Sequence, residues 1–362
     1  LSPSRPAHAR SIRKSCEDSD DADCLSSSSS TSSFDEDVVN VRMTPYWCAY
    51  RGVIEGRGFR LDTFGDVKQY YERNWEGLGS DGRDVTQDPP VMLVRVVAGM
   101  TTNYVKMPDW YVPWSWSSLV PDNLFRGTQS STGLKVVVKA VHLHSREYDV
   151  MSYLSKPQLR NHPMNHCIQT NELGELTLFT AILDRIEVPK DRIAFIVMEE
   201  WSSQLIADTP CNLKLFLASL RQCIEHTVFM HAHHIAHLDI SLRNLLTDYK
   251  SHYACIDYEL SRRYDGVSAP RIQCRRGTEV PPELERNEWS DPFKVDVWAL
   301  GILMFRAMKL TGYDVPELYA IIKSMLHENY EKRPTARDVL LSFNAMTSRI
   351  GEARLQMKSP HQ

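Results

Sequence analysis

His237-Leu-Asp-Ile-Ser-Leu-Arg-Asn244, followed by Leu245-Leu-Thr-Asp248 and then by Ala254-Cys-Ile-Asp-Tyr-Glu259, is the stretch on which the reading of this chain turns. Asp239, an Asn five residues on and a second Asp thirteen beyond that are few residues, but they fit one chemical task. Moving a phosphoryl group needs a carboxylate facing the acceptor hydroxyl. It also needs an amide oxygen and a second carboxylate to hold Mg²⁺ against nucleotide phosphates. Asp239 would be the first group, with Asn244 and Asp257 the metal ligands. The residues alone leave another reading open, a polar loop between a helix and a hairpin.

Working outward, the chain upstream of this stretch reads mainly as strands. Leu134 to Val141 is β-branched and follows the turn cluster Ser130-Ser-Thr-Gly133, with Leu124 to Gln129 as the other hairpin arm. Arg192 to Trp201 holds a buried strand, Ile193-Ala-Phe-Ile-Val-Met198, and Ser145 to Leu154 reads as a helix. Downstream the chain is mainly helical: Leu213 to His234, Phe293 to Lys309, Pro316 to His327 and Thr335 to Met346. Strands first and helices after predict an α+β fold of two lobes, a small antiparallel β-rich one and a larger helical one.

The 362 residues carry 42 basic against 46 acidic side chains. That balance argues against a sequence-blind nucleic-acid binder, which needs a basic face. The longest apolar run, Trp298 to Phe305, is far short of the ~20 residues of a membrane span. No basic segment followed by an apolar one opens the chain, so an intracellular protein, cytoplasmic or nuclear, is expected. Its start at Leu1 rather than Met points to a segment upstream. The eight scattered cysteines form no Cys-x-x-Cys pair and read as reduced thiols. Cys255, in an apolar strand, reads as core.

Residues 1–42 hold a serine run, Ser26 to Ser33, between acidic clusters, and read as a disordered tail whose serines could accept phosphate. Residues 43–116 are rich in Trp and Tyr, so they are expected to be ordered and to pack on the small lobe. A helix over Asp66 to Asn74 and a strand over Val91 to Ala98 are predicted there. Glu55-Gly-Arg-Gly-Phe59 imitates a nucleotide loop without the strand–loop–helix context that would support it. Residues 117–200 are assigned to the small lobe, 201–347 to the large lobe and 348–362 to a C-terminal tail. Among His231, His233, His234 and His237, only His233 and His237 have the i, i+4 spacing of metal ligands on a helix, and a place at a helix end and in the core of the following loop is the preferred reading of the four.

With these residues in view the chain resembles the eukaryotic protein kinase family. Met230-His-Ala-His-His-Ile-Ala-His-Leu-Asp239 is similar to the end of the family's long helix running into its His-Arg-Asp loop. Val137-Val-Lys139 is similar to the Val-Ala-Ile-Lys strand, and Glu147 to the ion-pair partner of its Lys. Met198-Glu-Glu-Trp201 resembles the hinge between lobes, Gly277-Thr-Glu-Val-Pro-Pro-Glu283 the end of the activation segment, and Asp296-Val-Trp-Ala-Leu-Gly301 the helix that anchors the catalytic loop. Arg333-Pro-Thr-Ala336 resembles the late Arg that pairs with the Glu of that end motif. Asn165-His-Cys167, His237-Leu-Asp-Ile-Ser241 and Pro292-Phe-Lys-Val-Asp296 resemble kinase-like proteins of basidiomycete fungi.

The resemblance implies ATP and Mg²⁺ as cofactors and a protein hydroxyl as acceptor. It implies catalytic roles for Asp239, Lys139 and Arg243, and metal ligation by Asn244 and Asp257. A nucleotide would be held by Lys139, Glu147, Val137, Met198, Glu199, Trp201 and Leu246. The charge balance and short apolar runs lead to the expectation of no nucleic-acid or membrane partner, and with Leu238 in place of Arg a regulatory partner is expected to act through the serine-rich tail.

The chain departs from the family pattern in six places. No glycine occurs in Ser117 to Arg126, where the phosphate loop is expected, so nucleotide affinity should be weaker or another device should serve. Val137 stands where Ala usually covers the adenine. Leu238 replaces the Arg that pairs with a phosphorylated activation segment. Ser241 replaces the Lys of serine/threonine kinases, while Arg243 sits as in tyrosine kinases. Glu259 replaces the Gly of Asp-Phe-Gly, giving the Asp-x-Glu that choline and aminoglycoside kinases carry. Only about fifty residues separate Glu283 from Arg333, which trims the helical lobe. Three functions follow: an active protein kinase, a pseudokinase serving as an interaction module, and a small-molecule kinase.

Overall fold

The computed structural model describes residues 25–26, 39–63, 66, 123–167, 182–201, 210–247 and 252–359. Its elements, in chain order, begin with β1 (Leu25–Ser26), α1 (Trp47–Glu55), β2 (Phe59–Leu61), β3 (Leu124–Gln129), β4 (Lys135–His142), α2 (Arg146–Leu154), α3 (Pro157–Arg160), β5 (Ile182–Val188) and β6 (Ile193–Glu199). There follow α4 (Leu213–Ala232), β7 (Ile235–Ala236), β8 (Leu245–Thr247), β9 (Tyr253–Cys255), β10 (Arg262–Arg263), β11 (Ile272–Gln273), α5 (Pro282–Glu285), α6 (Pro292–Thr311), α7 (Pro316–Met325), α8 (Ala336–Thr347) and α9 (Glu352–Leu355).

The small lobe is an antiparallel sheet in the order β2-β3-β4-β6-β5. Its central strand, Lys-Val-Val-Val-Lys-Ala-Val-His, is buried on both faces, which explains a continuous β-branched run in place of alternation. Val136, Val138 and Ala140 share one face and pack with Phe195, Val197 and Ile54 beneath α1. Trp47 of α1 lies 5.2 Å from Phe125 and 5.6 Å from Phe195, and Tyr50 lies 5.0 Å from Phe195. Gly127 is required at the β2–β3 contact, because a Cβ there would stand 2.7 Å from the Arg60 carbonyl oxygen.

Helix α2 starts where Ser145 accepts the Tyr148 amide, with Glu147 and Asp149 in its first turn, favourable at the positive end of the helix dipole. In the large lobe one apolar cluster joins α4, α6, α7 and α8, from Phe216 and Leu220 through Leu300 and Met304 to Ile322 and Phe343. Thr335 and Asp338 close α8 with a reciprocal capping box. The helices expected over 145–154, 213–234, 293–309, 316–327 and 335–346 form, with ends moved by a residue or two.

Four features correct the sequence reading. The first strand of the sheet is Phe59–Leu61, so the small lobe begins well before residue 117. Residues 62–123 separate this strand from its partner β3, so the expected place of the phosphate loop extends far beyond 117–126. Val39 and Asn40 are buried, and Asn40 Oδ1 accepts the Arg146 amide at 2.9 Å, so packing begins inside the segment read as a tail. At the other end, Leu213 N–H donates to Met357 O at 3.0 Å and Ser359 Oγ donates to Thr311 O at 2.6 Å, so 348–359 completes the helical lobe. Among the described residues Cys48, Cys167, Cys211, Cys223 and Cys255 are free thiols, but Cys274 is disulfide-bonded. It directly follows β11, whose pairing with β1 (Leu25 opposite Gln273, Ser26 opposite Ile272) brings N-terminal chain to that segment. Asp66 is helical; the rest of the expected helix 66–74 and the strand 91–98 lie outside the described residues.

Candidate active site

Two hairpin-like turns of backbone and one strand bring the polar residues together. Strand β4 carries Lys139 on its cleft face. Its Nζ lies 2.6 Å from Glu147 Oε1 on α2 and 3.0 Å from Asp257 Oδ1, which follows β9. Burial opposes the charge on Lys139, but the two carboxylates outweigh it and hold its pKa above the usual lysine value. Burial likewise pushes Asp257 up, and Lys139 overrides it, leaving that carboxyl below its usual value. Lys139 and Asp257 therefore stand charged at neutral pH.

The loop after β7 is fixed from below by Asp296 of α6. Its Oδ2 accepts the His237 amide at 2.8 Å and its Oδ1 accepts the Leu238 amide at 2.7 Å, while His231 Nε2 lies 2.9 Å from Oδ2. Asp296 is fully buried, so its charge is matched by donors on three sides. Leu238 and Asp257 both hold positive φ, 65° and 64°, a cost borne at the two corners of the cleft. The segment before α5 comes so close that a Cβ on Gly277, φ 123°, would lie 2.8 Å from the Leu238 carbonyl oxygen.

This close approach orients Asp239. The Thr278 amide donates to its Oδ1 at 2.6 Å, and Asn244 Nδ2 donates to its Oδ2 at 2.8 Å and to its carbonyl at 2.9 Å. With Nδ2 engaged, the Asn244 amide oxygen is left for another partner, and Asp257 Oδ2 makes no hydrogen bond among the described residues. These are hard oxygen donors, the type Mg²⁺ takes. Asp239, Arg243, Asp257, Glu259, Arg42 and Arg276 line one cleft of ≈ 550 Å³. Among the described residues no group of three or more His, Cys, Asp and Glu is placed to hold a metal by itself. His231 faces Asp296 and His233 Nδ1 lies 2.8 Å from Phe229 O.

Several of the residues expected around a nucleotide also lie together, but Glu199 pairs opposite Val136 and so stands on the other sheet face from Val137 and Met198. Val137 stands opposite Met198 in the β4–β6 register, and Met198, Trp201 and Leu246 pack on the cluster of Met151 and Tyr258. The Trp201 indole N–H is buried without an acceptor among the described residues. Glu199 ends β6, and Arg243 is exposed at the cleft mouth. Tyr258 is fully buried, its hydroxyl donating to Cys255 O at 3.0 Å and lying 3.1 Å from His226 Nε2. Sequence reasoning missed Arg42, whose Nη2 lies 3.4 Å from Glu259 Oε2, and the ion pair of Arg126 and Glu200. Arg126 shares the face of Lys139 through its pairing opposite Val137, which the sequence does not state, and nothing local pointed to Arg42.

A protein kinase domain model matches residues 124–313, just over half of the chain. The chain belongs to the protein kinase family. A serine/threonine-protein kinase SIK3 homolog of Danio rerio is 22% identical over 176 residues, covering 47% of this chain and 15% of that protein. CBL-interacting serine/threonine-protein kinase 21 of Arabidopsis thaliana is 26% identical over 238 residues, covering 62% and 53%. The R436 protein of Acanthamoeba polyphaga mimivirus is 23% identical over 260 residues, covering 61% and 88%. The chain thus spans a small part of the first and about half of the second. The kinase match takes in β3 to α6. It includes every residue of the site except Arg42.

Proposed function

We propose that this protein moves the γ-phosphoryl group of ATP to a protein hydroxyl, with Mg²⁺ as cofactor. One observation carries the reading: a single ammonium, Lys139, is held at once by Glu147 of the small lobe and Asp257 beside the catalytic loop. That contact needs α2 and the β9 turn to stand together, the arrangement phosphoryl transfer requires. Bound Mg·ATP would supply the transferable group and a cation to neutralise its phosphates. Lys139 orients that polyphosphate. Asn244 and Asp257 hold the cation through amide and carboxylate oxygens. Asp239, aimed by Thr278 and Asn244, accepts the hydroxyl proton, and Arg243 offers a positive charge at the mouth.

A protein rather than a small-molecule acceptor is supported by the large lobe, where Glu283 and Arg333 pair as the family resemblance implies. The likeness to kinase-like proteins of basidiomycete fungi rests on short phrases such as Asn165-His-Cys167, in which Asn165 Nδ2 bonds the Leu154 and Leu159 carbonyls. A compartment supplied with ATP, cytoplasm or nucleus, suits this chemistry. No helix among the described residues is long and apolar enough to cross a membrane. A regulatory partner would reach the cleft through the N-terminal segment, whose strand pairs with β11. A pseudokinase reading is favoured by the connection 62–123 in place of a short phosphate loop.

Titrating Mg·ATP against the melting temperature separates the two readings, because a ligand bound to the native state alone raises it. Wild type should shift and Asp257→Asn should not. No shift in wild type would count against the active kinase and favour the interaction module.

A further inference from the structure

The cleft face of the small sheet carries a row of side chains beside Lys139. Arg126 pairs opposite Val137, and Val137 opposite Met198, so in antiparallel register the three stand on one face. Lys139, two residues along the same strand, shares that face. From Lys139 the face runs to Val137 and Arg126, away from the phosphate end and toward the connection between the lobes. Glu200 directly follows β6 on that connection, its amide donating to Lys135 O at 3.0 Å. Arg126 Nη2 lies 2.6 Å from Glu200 Oε1 and 2.8 Å from Oε2. The two side chains are 10% and 8% exposed, whereas Arg57, paired with Asp184 at the same sheet, is 56% exposed. Arg126–Glu200 is thus a desolvated pair and not a solvated surface contact.

We propose that this ion pair is a lock on the nucleobase end of the cleft, and that the base of a nucleotide enters only when Arg126 and Glu200 part. The proposal rests on the reading of the cleft as a nucleotide site. A base takes a flat slot walled by apolar side chains such as Val137, Met198 and Leu246. A guanidinium and a carboxylate paired on the face of Val137 and Met198 stand where such a base would approach that face. Parting them inside the protein leaves two charges in need of new partners. While the closed pair dominates, apparent affinity falls by the fraction of molecules that are open. The lock therefore keeps nucleotide binding weak, and Arg126 and Glu200 set how weak.

The test uses the full chain and the rise of its melting temperature with Mg·ATP, for wild type, Glu200→Gln and Arg126→Val with Glu200→Gln. The double variant should bind at least tenfold more tightly than wild type, and Glu200→Gln several-fold. A pair that merely strapped the lobes would give equal or weaker binding on removal, and that result would overturn the lock. Glu200→Gln keeps the side-chain size and the backbone bond, so it reports even if the double variant does not fold. If wild type and variants all fail to shift, the nucleotide reading itself falls and takes the lock with it. If wild type shifts and the variants shift no more, the lock falls alone.

Discussion

Arg333→Leu should be among the most damaging single changes in the large lobe. The Arg333 side chain is fully buried and Glu283 is 2% exposed. Nη1 lies 2.8 Å from Glu283 Oε1 and Nη2 lies 2.7 Å from Oε2, a bidentate fork. The same guanidinium donates to His327 O at 2.9 Å and Lys294 O at 3.2 Å, and it sits 4.8 Å from the Trp298 ring centroid. Removing it strands Glu283 with only the Ser290 hydroxyl, at 2.8 Å, among these partners. Leaving a buried charge unmatched costs ~3–5 kcal/mol. At ~2–4 °C per kcal/mol for a domain of this size, melting should fall by roughly 6–20 °C. Circular dichroism of wild type, Arg333→Leu and Arg333→Leu/Glu283→Leu measures it. The double variant should recover at least half of the loss, since two apolar side chains leave no charge to strand. Arg333→Leu melting within about a degree of wild type would refute the reasoning.

Lys139→Met should lower phosphotransfer by ~10²-fold or more while the chain still melts cooperatively, because the methionine stem keeps the strand's packing; a radiolabel transfer assay beside a melting curve decides it. Asp257 has a carboxyl held below its usual value, so its contribution to stability is present above the unfolded pKa of ~3.9 and is lost as pH falls through the folded value. The melting difference between wild type and Asp257→Asn should therefore shrink below about pH 4, and a difference constant from pH 7 to pH 3 would contradict this. Thr278→Ala with Ser268→Ala should leave any transfer rate within about threefold, or ~0.7 kcal/mol of barrier. Thr278 orients Asp239 through its backbone amide, which alanine retains, and a tenfold loss rescued by phosphate at either site would count against it.

The fold was legible wherever local pattern and long-range packing agree. The β-branched run of β4, the capped helices α2 and α8, and the spacing of Asp239, Asn244 and Asp257 each state their place in a few neighbouring residues. What was not legible depends on register or on residues far apart in the chain. Phe59–Leu61 is a three-residue strand whose partner lies beyond residue 123, so no period marks it as part of the sheet. Arg126 became a cleft residue only once its pairing opposite Val137 was known. Arg42 reaches Glu259 across 217 residues of chain, and a charge on an exposed loop looks the same whether or not such a partner exists.

Leu238 offers no guanidinium for a phosphate, yet the activation segment has other ties to the catalytic loop. Leu238 is itself buried with Tyr264, Ile272, Leu284 and Val295, so its side chain packs the segment where an arginine would have bound it by charge. Its amide is spent on Asp296 and its carbonyl lies against Gly277, so both faces of that peptide are committed. Glu259, where a flexible glycine is usual, sits with one carboxylate oxygen 3.7 Å from Arg276 and the other 3.4 Å from Arg42. That is a carboxylate side chain built into the chain, facing an arginine of the very segment a phosphate would otherwise order. Exposed pairs of this kind are individually weak, ~0–1 kcal/mol, so the ordering falls mostly to the apolar cluster and the buried backbone bonds. A segment held in this way does not depend on an added charge. Any control of such a cleft acts on what enters it rather than on whether it is assembled.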